Sequence, residues 1–371
     1  MDAEVEEETV QGTQRDNPLV NWGDNINIKQ QLHFRILTIN INGLPQNRLH
    51  PKYGLIREQV AKCKIDILGL SETNLKWNQF STYDRLAQRT SQWWENTHCS
   101  YTYNSHDVSS SKFQPGGTAL LAINHLSNRA LSQRLQDPTG LGRWCSSLFQ
   151  GKNHTLFRLI QVYRPCKPNP NSNNGTYQQH SRFFLQKQIT TCPRTQFLTD
   201  LYSFLSTCIN NGEQIIVMGD FNEDVTSPPI STFFASLHMR NLLSSIQDNH
   251  NLDHQPTFSR GNSTIDGIFA THGILATRGG YLHSHSFDTD HKPIWIDIPL
   301  QSVFATTNPP VIPLHRRRLK NEDPRVVNKF NTEYNRLLIK HNLHQAINSL
   351  TQSSPTSLTP KQQIEFERID K

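Results

Sequence analysis

Asp220 and Asn222 stand two residues apart in "IIVMGDFNED", residues 215–224, where four apolar residues break at Gly219 into acids and amides with no Lys or Arg among them. A carboxylate and an amide at that spacing can take a proton from water, aim the water, or help to hold a cation. Gly, Asn and Asp are also ordinary turn formers at the end of a strand, so the stretch alone supports a structural reading equally well. Recurrence separates the two. "ILTI" runs into Asn40, Ile41 and Asn42, "DILGL" into Ser71 and Glu72, and "LIQV" into Tyr163, Arg164 and Pro165. Asp266 lies just inside "TIDGIFA", and Asp290 and His291 immediately precede "PIWI". Carboxylates, amides, one tyrosine and one histidine at so many strand ends point to one composite site, because strand ends are where sheets hold side chains rigidly enough for chemistry.

The elements that must position these residues are legible as periodic patterns. Phe34 to Ile41 is a β-rich run, "YGLIREQVAKC" spaces Leu55, Ile56, Gln59, Val60 and Cys63 like a helix, and "IDILGL" is a short apolar strand. Further strands are predicted at "GGTALLAI", "IDGIFA" and "PIWIDI", with a hairpin-like pair at "WCSSLFQ" and "TLFRLIQVY". The helix "FLTDLYSFLSTCI" precedes "IIVM", with Asn211 and Gly212 as its stop. Hairpins mixed with crossovers predict mixed sheets and argue against a Rossmann fold. "PNPNSNNGTYQQH" reads as an exposed loop or insertion. Three regions follow: a disordered or loosely docked acidic arm over residues 1–30, a main domain over 31–300, and a linker with a helical connector over 301–371. In the connector, Phe330, Tyr334, Leu337 and Leu338 share one helix face.

The chain has 371 residues, 35% of them hydrophobic, and a net charge of +6 although "MDAEVEEE" at its start carries five acids. That balance fits a polyanionic partner without specifying one. The six cysteines contain no CxxC pair and no signal-like segment begins the chain, which predicts reduced thiols and a nuclear or cytoplasmic location. No apolar run approaches the ~20 residues of a membrane helix. "HRRRLK" at 315–320 is read as a basic linker before a nuclear address, and Trp93 and Trp94 as packing residues before base-stacking ones. "HSHSFDTDH" invites zinc through His283, His285 and His291, but an HxHxDH pattern needs Asp and His where Phe287 and Asp288 stand.

The ordered series "NING", "LSETN", "VYRP", "GDFNED", "STIDGI" and "TDHKPI" resembles the endonuclease/exonuclease/phosphatase superfamily, and within it the apurinic-type endonuclease domains of non-LTR, LINE-like retrotransposons. The resemblance spans roughly residues 33–298. It implies an α/β (α+β) four-layer sandwich, two mixed β-sheets face to face with helices outside and the site at one edge. It also implies a Mg2+-dependent phosphodiesterase, with Mn2+ as a substitute, whose metal is held by Glu72 with Asn42 and Asp290. Asp220 and Asn222 would activate water, His291 oriented by Asp266 would meet the scissile phosphate, and Tyr163 and Asn40 would donate to the phosphate region. Asn42 departs from the Asp common in repair apurinic endonucleases, which favours the retroelement branch and removes one charge from the metal's surroundings.

The resulting expectation is a DNA endonuclease that nicks one strand and leaves a 3′-hydroxyl for target-primed reverse transcription. Duplex DNA is its partner, and the reverse transcriptase domain of the same element is a further one. No "YxDD" precedes Lys371, so the chain reads as the front part of an element protein. The alternatives are an apurinic repair endonuclease, a phosphoinositide phosphatase, or an inactive nucleic-acid-binding remnant.

Overall fold

A computed structural model describes residues 26, 28–94, 96–131, 135–168, 174–250, 254–306, 323–351 and 359. The acidic arm, apart from residues 26 and 28–30, and the basic 315–320 segment lie outside the described residues. The chain divides into two units, residues 1–312 and 313–371.

In the first unit the apolar runs form strands because successive residues bury alternately on two faces. β1 (His33–Asn40) leads through helix α1 (Pro51–Lys62) to the parallel β2 (Ile67–Ser71). Next come α2 (Leu86–Ser91), β3 (Thr97–Thr102), β4 (Thr118–Ile123), and the hairpin β5 (Trp144–Gln150) and β6 (Leu156–Tyr163). Helices α3 (Thr176–Gln186) and α4 (Pro193–Asn210) carry the chain to β7 (Gln214–Asp220), parallel to β6. α5 (Pro228–Ser236), β8 (Met239–Asn241), α6 (Leu242–His250), β9 (Asp266–Thr271), β10 (Arg278–Tyr281), β11 (Ile294–Pro299) and α7 (Leu300–Phe304) complete the unit. One sheet has the order β10-β11-β1-β2-β4-β3 and the other β5-β6-β7-β9-β8. Both are mixed and flanked by helices, the four-layer sandwich expected from the sequence.

Three apolar layers explain the stacking. Ile36, Ile67, Leu159, Ile216, Met218 and Ile296 fill the space between the sheets. Their strand neighbours Leu37, Leu68 and Leu70 face outward onto Ile56 and Val60 of α1. On the far side Ile160, Ile215 and Val217 meet Phe197, Leu201 and Leu205, which α4 presents at helical spacing. Burying each of these side chains contributes about 1.5–3 kcal/mol. α7 belongs to the same body: Phe304 is fully buried and its ring centroid lies 5.6 Å from that of Phe34. The first unit therefore packs past residue 300.

The apolar filling is interrupted near the strand ends by a polar seam. Gln161 of β6 donates to Ser71 Oγ at 2.8 Å and accepts from Thr38 Oγ1 at 3.1 Å, while Ser71 Oγ donates to Val162 O at 2.7 Å. Gly69 makes this approach possible, since a Cβ there would lie 2.0 Å from Gln161 Oε1. The seam fixes how β1 and β2 lie over β6.

The "TYQQH" half of the expected loop "PNPNSNNGTYQQH" is instead the first part of α3, where Thr176, His180 and Phe184 bury one face. Burial of that face outweighs a composition that reads as loop. Trp93 and Trp94 pack against the α1–β2 layer, Trp93 beside Tyr53. All six cysteines are free thiols. Among the described residues no helix is long and apolar enough to cross a membrane. In the second unit α8 (Pro324–Lys340) is capped by Asp323, whose side chain accepts from Arg325 N, and is followed by α9 (Leu343–Thr351). Phe330 and Tyr334 stack on each other along α8.

Candidate active site

β1 and β2 from one sheet and β6 and β7 from the other end side by side, next to the start of the antiparallel β9. The registers align Asn40 with Ser71, Tyr163 with Asp220, and Asp220 with Asp266. Gly219 permits the last strands to close. Its φ is +139°, and a Cβ would sit 2.1 Å from Val162 O, so no other residue fits.

Asn40 is the hub. Its amide nitrogen donates to Glu72 Oε2 at 2.9 Å and to Asp220 Oδ2 at 2.8 Å. Its side-chain oxygen accepts from Asn42 N at 2.9 Å, and its carbonyl accepts from Thr289 Oγ1 at 2.7 Å. Both amide hydrogens of Asn40 are thus given to carboxylates. Asp220 Oδ1 accepts from Asn222 N at 2.7 Å, and the Asn222 side chain donates to Arg164 O at 2.7 Å and Asp220 Oδ2 at 3.2 Å. His291 Nδ1 meets Asp266 Oδ2 at 2.8 Å. Thus Asn40, Glu72, Asp220, Asn222, Asp266 and His291 converge. Tyr163 lies beside them, buried, with a ring edge against Gly116.

Several of these residues hold left-handed backbone: Asn42 (φ +47°), Glu72 (+55°), Asn74 (+55°) and Asn222 (+49°). For Glu72 this costs of order 1–3 kcal/mol, offset by the surrounding hydrogen bonds, and it turns the carboxylate off the strand axis toward Asn40. The acid cluster is not neutralised locally, but Arg164 and Arg194 reach Glu223 from other elements. Arg194 also donates to Pro165 O at 2.7 Å and Asn222 O at 2.9 Å, tying the two site loops together beneath the surface. Among the described residues no Arg or Lys pairs with Asp220.

Burial, then the neighbouring Asp266, raises the Asp220 carboxyl to about 7, against the pull of His291, Asn40 and Asn222. Burial disfavours a charged His291, but Asp266, with help from Asp220 and Asp290, outweighs it and raises the imidazole to about 9. Tyr163 is held well above its usual value by burial, then Glu72 and Asp220, so its hydroxyl keeps its proton. At neutral pH the site therefore pairs an imidazolium with a carboxylate poised near the working pH of a general base.

Asn42 and Asp290 lie toward a neighbouring cavity of about 690 Å3, also lined by Phe258, His283, Asp288 and Lys292. Asp290 pairs with the exposed Arg260 at 3.1 Å. Among the described residues no hydrogen bond or ion pair joins any two of Asn42, Glu72 and Asp290. Two observations nevertheless fit a divalent cation. Glu72 is partly exposed and offers carboxylate oxygens, the donor type a hard ion takes. Asp220, Asp266 and His291 also offer ligand atoms within 4.8 Å of one another, and Asp266 Oδ1 is buried without a hydrogen-bond partner. Sequence reasoning did not anticipate that second grouping as a metal site. It also missed Lys52, whose ammonium donates to Ile41 O at 2.8 Å beneath Asn42. Burial lowers the Lys52 pKa, opposed by Asp288 and Asp290. Lys52 follows Pro51 at a helix start, and nothing local marks it as part of a site.

A two-sheet sandwich with a carboxylate–histidine pair at the shared strand ends defines a phosphoesterase-like architecture. The profile of the endonuclease/exonuclease/phosphatase family matches residues 37–291, and the chain belongs to that family of hydrolases, which act on phosphodiester bonds. No curated protein matches the sequence. Among solved structures, an AP endonuclease from Leishmania major is 11% identical, covers 72% of this chain and 88% of its own, and has a TM-score of 0.52. An AP endonuclease from Archaeoglobus fulgidus (17% identity, 71% and 98% covered, TM-score 0.49) and a 3′ phosphatase from Neisseria bound to product DNA hairpin (17%, 71% and 98%, 0.49) are also similar. At such identities the likeness is one of fold.

Proposed function

We propose that this chain is a Mg2+-dependent DNA endonuclease that nicks one strand and leaves a 3′-hydroxyl, the nicking module of a LINE-like element in which that end primes reverse transcription. The observation that carries the reading is the pair of links across the sheets, Asn40 to Asp220 and His291 to Asp266, which gather a base, an oriented imidazolium and Glu72 at one edge. The order of the six strand-end motifs, Asn42 in place of an acid and the net positive charge support DNA and the retroelement branch.

Asp220 takes a proton from water while Asn222, fixed by Arg164 O, orients it. The water oxygen bonds to phosphorus, the P–O3′ bond breaks, and the departing 3′ oxygen takes up a proton. His291, with Nδ1 held by Asp266, is left with Nε2 to meet the negative charge growing on the phosphate oxygens. Tyr163 keeps its hydroxyl as a neutral donor. Glu72, assisted by Asn42 and Asp290, would hold the cation, which supplies charge neutralisation at the phosphate when bound.

The test is conversion of supercoiled plasmid to open circles by the full chain, with and without Mg2+, beside Glu72→Ala and His291→Ala. The nicked ends should be extended by a polymerase without prior phosphatase treatment. Equal nicking by all three proteins, or blocked 3′ ends, would sink the assignment. Cleavage confined to abasic duplex or to phosphoinositides would move the protein to another branch.

A further inference from the structure

The segment from Asn104 to Pro115 is built more rigidly than a connecting loop requires. Buried Gln114 accepts from Asn104 N at 2.8 Å and donates to Asn104 O at 2.8 Å and to Asp107 Oδ2 at 3.0 Å. Lys76, 2% exposed, spends its ammonium on the carbonyls of Asp107 and Ser109. His106 Nε2 contacts Thr139 O at 2.6 Å, and the ring packs on Phe183 of α3 with centroids 4.5 Å apart. Despite this bracing the loop leaves Val108 fully exposed and Phe113 55% exposed. A buried lysine and glutamine thus hold apolar side chains in water, the opposite of what burial favours and the usual sign of a preorganised contact surface.

Loop and helix enclose a cavity of about 630 Å3 whose wall includes Phe113, Phe183, His106, Gln179, Gln186 and Arg182. One end of it adjoins the site. Pro115 on its wall is followed by Gly116, which exchanges hydrogen bonds with Asn74, two residues past Glu72, and a Cβ on Gly116 would lie 3.6 Å from the Tyr163 ring. Arg182 and Lys112 bring positive charge to the two sides of the loop, and Asp107 is engaged by Gln114 and Lys76.

Aromatic faces, the Gln186 carboxamide able to pair with a heterocycle's edge, and cations beside a phosphodiester site together match one ligand. We infer that this groove is a nucleobase subsite: it receives one base of the polynucleotide strand near the scissile phosphate, stacked on Phe113 and flanked by the His106–Phe183 pair. The inference rests on the phosphodiesterase reading and names the part of the substrate that reading leaves open. Base-on-aromatic stacking of this kind raises affinity by about ten-fold or more.

The experiment compares a DNA oligonucleotide with an oligomer of tetrahydrofuran abasic phosphates of the same length, a diester without bases or other aromatic rings, as substrates of the full chain. Phe113→Ala should raise KM for the oligonucleotide about ten-fold with kcat nearly unchanged, and leave hydrolysis of the base-free diester as it was. Phe113→Trp should retain the low KM and Phe113→Leu should not, which separates stacking from simple apolar contact. A scan placing a single base-free spacer along the oligonucleotide should find one position whose loss costs the unaltered protein the same factor and costs Phe113→Ala nothing more. An unchanged oligonucleotide KM in Phe113→Ala, an equal loss on both substrates, or equal behaviour of the Leu and Trp variants overturns the subsite while leaving the phosphodiesterase reading intact. Failure of the unaltered protein to cleave either substrate overturns that reading and the subsite with it.

Discussion

Asn40→Asp changes one nitrogen to oxygen, and the structure says the consequences should be large. The Asn40 amide gives its two hydrogens to Glu72 at 2.9 Å and Asp220 at 2.8 Å. Hydrogen bonds to charged acceptors contribute about 1.5–3 kcal/mol each, so losing both costs roughly 3–6 kcal/mol before any repulsion is counted. A third carboxylate between two others would rather stay protonated, and its folded-state pKa should rise well above the ~3.9 of an unfolded Asp. A raised carboxyl favours the folded state only while it keeps its proton. The variant should therefore be nearest to normal stability below about pH 4 and lose ground as pH rises from there, by about 1.4 kcal/mol per unit up to the new pKa. At roughly 2 °C per kcal/mol for a domain of this size, melting at pH 8 should fall by about 6–12 °C. Asn42→Asp is the control, adding the same charge two residues along on an exposed side chain that touches neither carboxylate. It should leave the melting temperature within about 1 °C. Melting curves of the three proteins at pH 5, 6.5 and 8 in chelator decide the matter. If Asn40→Asp and Asn42→Asp melt alike at pH 8, Asn40 is not the hub.

Other expectations follow from the buried charges. Cleavage should rise with pH through about 7 as Asp220 loses its proton and fall above about 9 as His291 loses its own, with both limbs belonging to the coupled cluster; a profile flat from 6 to 10 contradicts these roles. His180 is buried, and desolvation together with the nearby Arg143 lowers it to about 3, so the unfolded chain takes up a proton that the folded core refuses. Stability should drop by about 2 kcal/mol between pH 7 and 5 from this residue, and urea midpoints of His180→Gln should lack that component. Arg35 and Asp297 face each other across β1 and β11 in two 2.6 Å contacts with no exposure at Asp297. Asp297→Asn strands the guanidinium and should cost about 3–5 kcal/mol in chemical denaturation, whereas replacing both residues with apolar ones should restore most of it.

Much of this was legible in the chain because the strands are buried on both sides and read as continuous apolar runs, which end where Asn40, Glu72, Tyr163 and Asp220 begin. The Asp266–His291 contact was likewise anticipated, from the family pattern that the motifs resemble. What the sequence concealed arises between elements. Nothing near Asn40 in sequence says that two carboxylates, 32 and 180 residues away, take both its hydrogens. Met239–Asn241 and Arg278–Tyr281 are strands only because β9 and β11 offer them edges to pair with, their own residues carrying little alternation. Helix α3 emerges from an Asn- and Pro-rich passage because tertiary burial of His180 and Phe184 outweighs local composition. Lys52 had no signal at all, since its role depends on a carbonyl eleven residues back.

The polar seam of Thr38, Ser71 and Gln161 has a consequence for when the protein can act. Neither sheet owns a complete set of reactive groups: one contributes Asn40 and Glu72, the other Tyr163 and Asp220, and the interlock at Gly69 decides whether they meet. A nascent or partly melted chain in which the layers have not yet docked carries every required side chain and still has no means of cutting. The competence to hydrolyse a phosphoester is thereby withheld until folding is finished.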